Sequence, residues 1–276
     1  MSKFIELVSN KYTQVVVIFF VLSYLLLGIG LHGDDYSSIS KIQNSDLKGF
    51  INLSSDKFQI FGILNYYSTW WAYYVFGYEY QFMYDAIKVV VHILAIYLVF
   101  HFFKDYFSKD RAILASIIFI MYPLHDTTTH WYMTLFYIIT PSLILFAHSL
   151  VRNDRLKPAI PILVLGSMWH YTSPVYVFGL TTVFLFEREF KKAIIFATPG
   201  FLYVMYYFWI KFNYAGLERR INADLSILDF LKQILIQPLS FLESAVGPSY
   251  WLKVFYAIES ISLVSVIIVA LISVFA

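Results

Sequence analysis

The feature that most constrains this chain is its succession of apolar runs, separated by short connections of two opposite kinds. The runs cover residues 12–31, 84–103, 112–122, 131–150, 159–169, 175–186, 193–210 and 257–275. About 20 residues at 1.5 Å each cross a hydrocarbon layer, so the longer runs predict membrane-spanning helices. The third, fifth and sixth are short for a crossing, and are either lengthened by polar-aromatic flanks or partly broken. Only 14% of the residues are charged, where a soluble domain carries about 25%, which points to lipid as the solvent. The first run exceeds a secretory leader's apolar stretch and lacks a small-residue cleavage site, so it reads as a signal anchor. The predicted fold class is all-α: a polytopic membrane protein of about eight transmembrane helices, forming one module over residues 1–276.

The connections orient that module. Lys104, Lys109 and Arg111 follow the second run; Arg152, Arg155 and Lys157 follow the fourth; Arg188, Lys191 and Lys192 follow the sixth. By the positive-inside rule these face the cytoplasm, as does the N-terminus. The stretches 123–130 and 170–174 contain no Lys or Arg and face outward. Asp34, Asp35, His125, Asp126, His130 and His170 then all fall on the extracytoplasmic side.

Two long connections share that side. Trp70, Trp71, Tyr73, Tyr74 and Phe76 lie within 61–82, which predicts a helix along the outer leaflet that stops near Gly77. In 211–251, Leu225, Leu228, Leu231, Ile234 and Leu235 recur at helical spacing and predict a second surface-lying helix.

Several chemistries are excluded at once. The chain has no cysteine, hence no disulfide, thiolate metal ligand or thiol nucleophile, and a net charge of +2 gives no footing for a nucleic-acid partner. A transporter usually carries charge near the bilayer midplane. The runs are expected to be nearly free of acids, Glu259 being the main exception, and His92 and His148 read as lone structural imidazoles. Surface chemistry fits better than a conducting path.

The adjacent pair Asp34-Asp35, at the exit of the first run, is the leading candidate for general-base work. The second carboxylate would orient an acceptor, or raise its neighbour's pKa by like-charge repulsion. Asp126, with His125 and His130, forms the opposite wall, and His170 and Tyr171 line the neighbouring outer turn. A divalent metal held by His125, Asp126, His130 and His170 is the alternative use of those groups, without a helix-borne HExxH spacing behind it. Arg219 and Arg220 are phosphate ligands by chemistry, or else a flank touching lipid headgroups.

The order of these features resembles the GT-C superfamily of membrane glycosyltransferases, nearest to the protein O-mannosyltransferase-like branch. The likeness is carried by the outer Asp34-Asp35, Leu64-Asn65-Tyr66-Tyr67 through Phe76-Gly77, the helix from Tyr84 to His92, and Tyr122-Pro123-Leu124-His125 with Trp131. It spans roughly residues 33–150. Asp126 directly after His125, and Trp169-His170 at the fifth helix end, depart from the family pattern.

The resemblance implies an inverting glycosyltransferase that moves a sugar from a polyprenyl-phosphate carrier to a glycan, lipid or protein acceptor, at the outer face of a bacterial inner or plasma membrane. It places Asp34 slightly ahead of Asp35 as the base, and implies membrane lipids as surroundings and no certain cofactor. Relatives generally carry helices beyond the point where 274–276 ends, so a longer module is expected. An O-antigen polymerase or ligase, and a flippase of lipid-linked sugars, are the rival readings.

Overall fold

The computed structural model describes residues 18, 19, 21–23, 26–42, 63–120, 130–170 and 172–213, with isolated positions thereafter. His125, Asp126, Tyr171, Arg219, Arg220, the last apolar run and the expected surface helix in 211–251 lie outside them. The chain divides into two compact units, Met1–Ala215 and Gly216–Ala276. Every helix named below belongs to the first.

All regular structure among the described residues is helical. After a short helical stretch that includes residues 18, 19, 21–23 and 26 come α1 (Asp34–Ile42), α2 (Ile63–Phe76), α3 (Gln81–Phe103) and α4 (Lys109–Ile120). A 3-10 turn, Tyr132–Thr134, leads into α5 (Phe136–Arg152), followed by α6 (Leu156–Met168), α7 (Ser173–Phe186) and α8 (Phe190–Asn213). The predicted runs from 84 to 210 coincide with α3 to α8 within a few residues.

Boundaries follow from local chemistry. Gly77 stops α2 as expected: its φ is +58°, a left-handed value that costs glycine nothing, and its N–H donates to the Tyr73 carbonyl at 2.7 Å. Pro174 stands in the first turn of α7, where a missing N–H is harmless.

Among the described residues, two helices are long and apolar enough to cross a membrane: α3, and the 3-10 turn joined to α5. The helices α4, α6 and α7 have 12, 13 and 14 residues. At 1.5 Å per residue they reach only about 20 Å, short of the roughly 30 Å hydrocarbon layer.

The core is built around α5. Its span is 72% buried, against 39% for α3, because α5 packs on α3 and α6 and also meets α7 and α8. Close crossings need small residues. A Cβ on Gly166 of α6 would stand 3.0 Å from Ile144, and one on Gly200 of α8 would stand 2.9 Å from Val177. The opposite faces stay apolar and open: Val90, Leu94 and Tyr97 on α3, Val175 and Phe186 on α7, Ile194 and Phe201 on α8. Such continuous apolar surface is what lipid or a partner covers.

One end of the bundle is tied by solvent-accessible polar contacts. Arg152, at the end of α5, pairs with Glu187 at 2.7 Å and also reaches the Tyr106 hydroxyl at 3.0 Å, while Lys192 meets Asp154 at 3.2 Å. The other end carries Asp34 and Asp35.

Candidate active site at the Asp35 end

The first run was expected to stay helical to Leu31. Its last described helical residue is Leu26, and residues 28–31 form an open turn. The cause lies on α3. The Asp85 carboxylate accepts the Gly28 and Gly30 N–H groups, both at 2.8 Å, and Gln81 Oε1 accepts the Leu31 N–H at 2.7 Å. Gly30 has a φ of +62°, and a Cβ there would collide with Gln81 Oε1, so only glycine fits the turn.

Asp85 is 1% exposed and pairs with fully buried Lys88 at 2.7 Å. The i, i+3 spacing places both on one face of α3. The Lys88 ammonium also donates to the Gly30 carbonyl at 2.8 Å and to the His130 carbonyl at 3.0 Å. This corrects the expectation that Glu259 is the main acid within the apolar runs, since Asp85 lies buried in the run starting at residue 84. The signal was present in the sequence: an acid and a lysine three apart at the head of an apolar run.

Asp35 completes the junction. It is fully buried in the first turn of α1. Oδ2 accepts the His32 N–H at 2.9 Å and the Tyr132 N–H at 3.0 Å, and Oδ1 accepts the Met133 N–H at 2.8 Å. A carboxylate at two helix starts satisfies amides that the helices leave unpaired. Beneath it, Tyr84 meets Tyr132 edge-to-face with ring centroids 5.0 Å apart, and donates its hydroxyl to the Gly77 carbonyl at 2.7 Å.

The two adjacent aspartates therefore stand in opposite surroundings. Asp35 is enclosed and bonded to three backbone amides; Asp34 is exposed to solvent. Of the pair, Asp34 is the carboxylate that an incoming hydroxyl can reach. Gly33, at a φ of +51°, lies against Trp131, where a Cβ would approach the indole to 3.1 Å. The exposed His32 ring stands 6.0 Å from the same indole.

His130 and Asp35 thus belong to one junction, reached through the His130 backbone and the Tyr132 amide. His170 does not touch the Asp35 carboxylate. It is buried in the α6–α7 turn, stacked on Phe136 with ring centroids 3.9 Å apart, and its Nδ1 lies 3.0 Å from the Thr172 hydroxyl. Burial alone pulls its pKa from 6.5 down to about 4, so it is neutral at physiological pH. Among the described residues no three His, Asp or Glu side chains converge as metal ligands.

An open cleft of about 240 Å³ adjoins the turn, lined by Gly28, Ile29, Gly30, Tyr36, Gln81, Phe82 and Asp85. Phe82 of its lining is exposed, as are its sequence neighbours Tyr80 and Met83, and Trp71 and Tyr74 of α2. No family model, curated protein or solved structure matches this chain, so its relationships rest on the residues themselves.

Proposed function

We propose that the chain is a polytopic membrane glycosyltransferase, inverting, that takes a sugar from a polyprenyl-phosphate carrier at the extracytoplasmic face. The observation that carries the reading is the split between the adjacent aspartates. A solvent-open carboxylate at a helix start, held in place by a buried neighbour, suits a general base that must meet a mobile acceptor hydroxyl. Asp34 takes the acceptor's proton as the hydroxyl oxygen bonds to the anomeric carbon. The bond from that carbon to the carrier phosphate breaks, and the phosphate leaves with the electron pair. Asp35 holds Asp34 at the corner formed by Trp131 and Tyr132.

The membrane setting has its own support. Two helices have the length and apolarity to span, the open faces of α3, α7 and α8 are apolar, and lysines and arginines gather at the Arg152 end. We read about eight crossings with that basic end in the cytoplasm, the short α4, α6 and α7 being lengthened by their polar-aromatic flanks.

The test is transfer from radiolabelled polyprenyl-phosphate sugar by protein in lipid vesicles. Asp34→Asn should lower turnover roughly 100-fold or more, the range for loss of a general base. Undiminished transfer by that variant would remove Asp34 from the mechanism. Movement of labelled carrier across the vesicle without a new glycosidic bond would replace the enzyme reading with a flippase.

A further inference from the structure

The buried pair on α3 has a distribution of partners that core packing does not require. Every proton of the Lys88 ammonium points at an oxygen: Asp85 Oδ1 at 2.7 Å, the Gly30 carbonyl at 2.8 Å and the His130 carbonyl at 3.0 Å. Both Asp85 oxygens in turn accept backbone amides of the 28–30 turn. Apolar residues of similar volume would fill this space as well or better, because taking two charges out of water is costly. What they cannot do is dictate where the amides of Gly28 and Gly30 and the carbonyls of Gly30 and His130 sit. Gly30 precedes Asp34 by four residues, and His130 precedes the Tyr132 amide on Asp35 by two.

We propose that Asp85 and Lys88 are positioning residues: a buried ionic latch that fixes the Gly28–Gly33 turn and the His130 corner to α3, and so sets Asp34 relative to Trp131. The latch stands on geometry alone. Only its consequence for turnover rests on the sugar-transfer reading. It acts through backbone, so its loss lowers turnover by misplacing Asp34 while leaving the carrier's affinity intact.

The absence of cysteine allows two spin labels to be placed cleanly, at exposed Ser40 of α1 and exposed Val90 of α3 through Ser40→Cys and Val90→Cys. With the native latch the label-to-label distance should be a single narrow population. In Asp85→Asn/Lys88→Met, which removes both charges and keeps the volume, helicity should persist while the distribution widens about twofold. In Lys88→Ala, propylammonium, which restores the missing chain and charge, should narrow it again, whereas propanol should not. If the double variant fails to fold, this amine-dependent narrowing decides the question.

In the transfer assay the double variant should lose at least about tenfold in kcat with KM for the carrier within about twofold. A narrow distance distribution without the charges, or unchanged kcat with a widened one, would overturn the proposal. Widening in the variants together with no transfer by the wild-type protein would sink the sugar-transfer reading and leave the latch standing.

Discussion

The two ends of this helical bundle use charge in opposite ways. At the Asp35 end three charged groups are enclosed beside the open Asp34: Asp35 and Lys88 are 0% exposed and Asp85 is 1%. Their partners are mostly backbone atoms far away in sequence, such as the Tyr132 amide on Asp35 and the His130 carbonyl on Lys88. At the Arg152 end the ion pairs are open to water and join side chain to side chain, Arg152 with Glu187 and Lys192 with Asp154. Buried charge with backbone partners specifies position, since each missing bond leaves an unsatisfied polar group. Exposed pairs are screened and specify little. An active site placed at the first end inherits a rigid frame.

That contrast can be broken by substitution, beginning where the largest effect is expected. Asp35→Ala strands three backbone N–H groups, each worth roughly 1–3 kcal/mol when left buried, so stability should fall by roughly 3 kcal/mol or more. Thermal unfolding in detergent, followed by tryptophan fluorescence, measures it. A loss below about 1 kcal/mol would mean that the junction does not depend on this carboxylate.

The intermediate case is His170, buried at the same end but uncharged. Its folded pKa of about 4 lies below the unfolded 6.5, so the unfolded chain binds the proton first as pH falls. The stability it supports is complete above about pH 6.5 and declines toward pH 4, by at most about 3 kcal/mol. His170→Phe, which keeps the stack on Phe136, should flatten that decline. A pH profile identical to wild type would assign the imidazole no part in it.

The smallest effect belongs to the Arg152 end. Arg152→Gln should cost about 1 kcal/mol or less, and the cost should shrink further at 1 M salt. A cost equal to that of Asp35→Ala would erase the distinction between the ends.

The helices were legible where composition alone determines them. Hydropathy located α3 to α8, and Gly77 marked the end of α2, because both signals act within a few residues. The convergence of Asp35 with the 130–133 corner was anticipated as two walls of one outer site, His130 among them, but not as carboxylate-to-amide bonds at Tyr132 and Met133. Which of Asp34 and Asp35 is open and which enclosed could not be resolved in one dimension, since both precede Tyr36 in the same first turn of α1. Asp85 and Lys88 were visible as letters, yet their meaning was not. Their partners, Gly28, Gly30 and His130, lie 42 to 58 residues away.

By itself the sequence determined that this chain is helical and apolar, with its basic residues gathered at alternate connections, because those properties depend on local periodicity and on transfer from water. Tertiary structure alone decided which aspartate is enclosed and which is open, where the first helix ends, and that a lysine sits with all three protons on oxygens. Those outcomes depend on hydrogen bonds between distant segments, and such bonds form only once packing has brought the segments together and excluded water from between them.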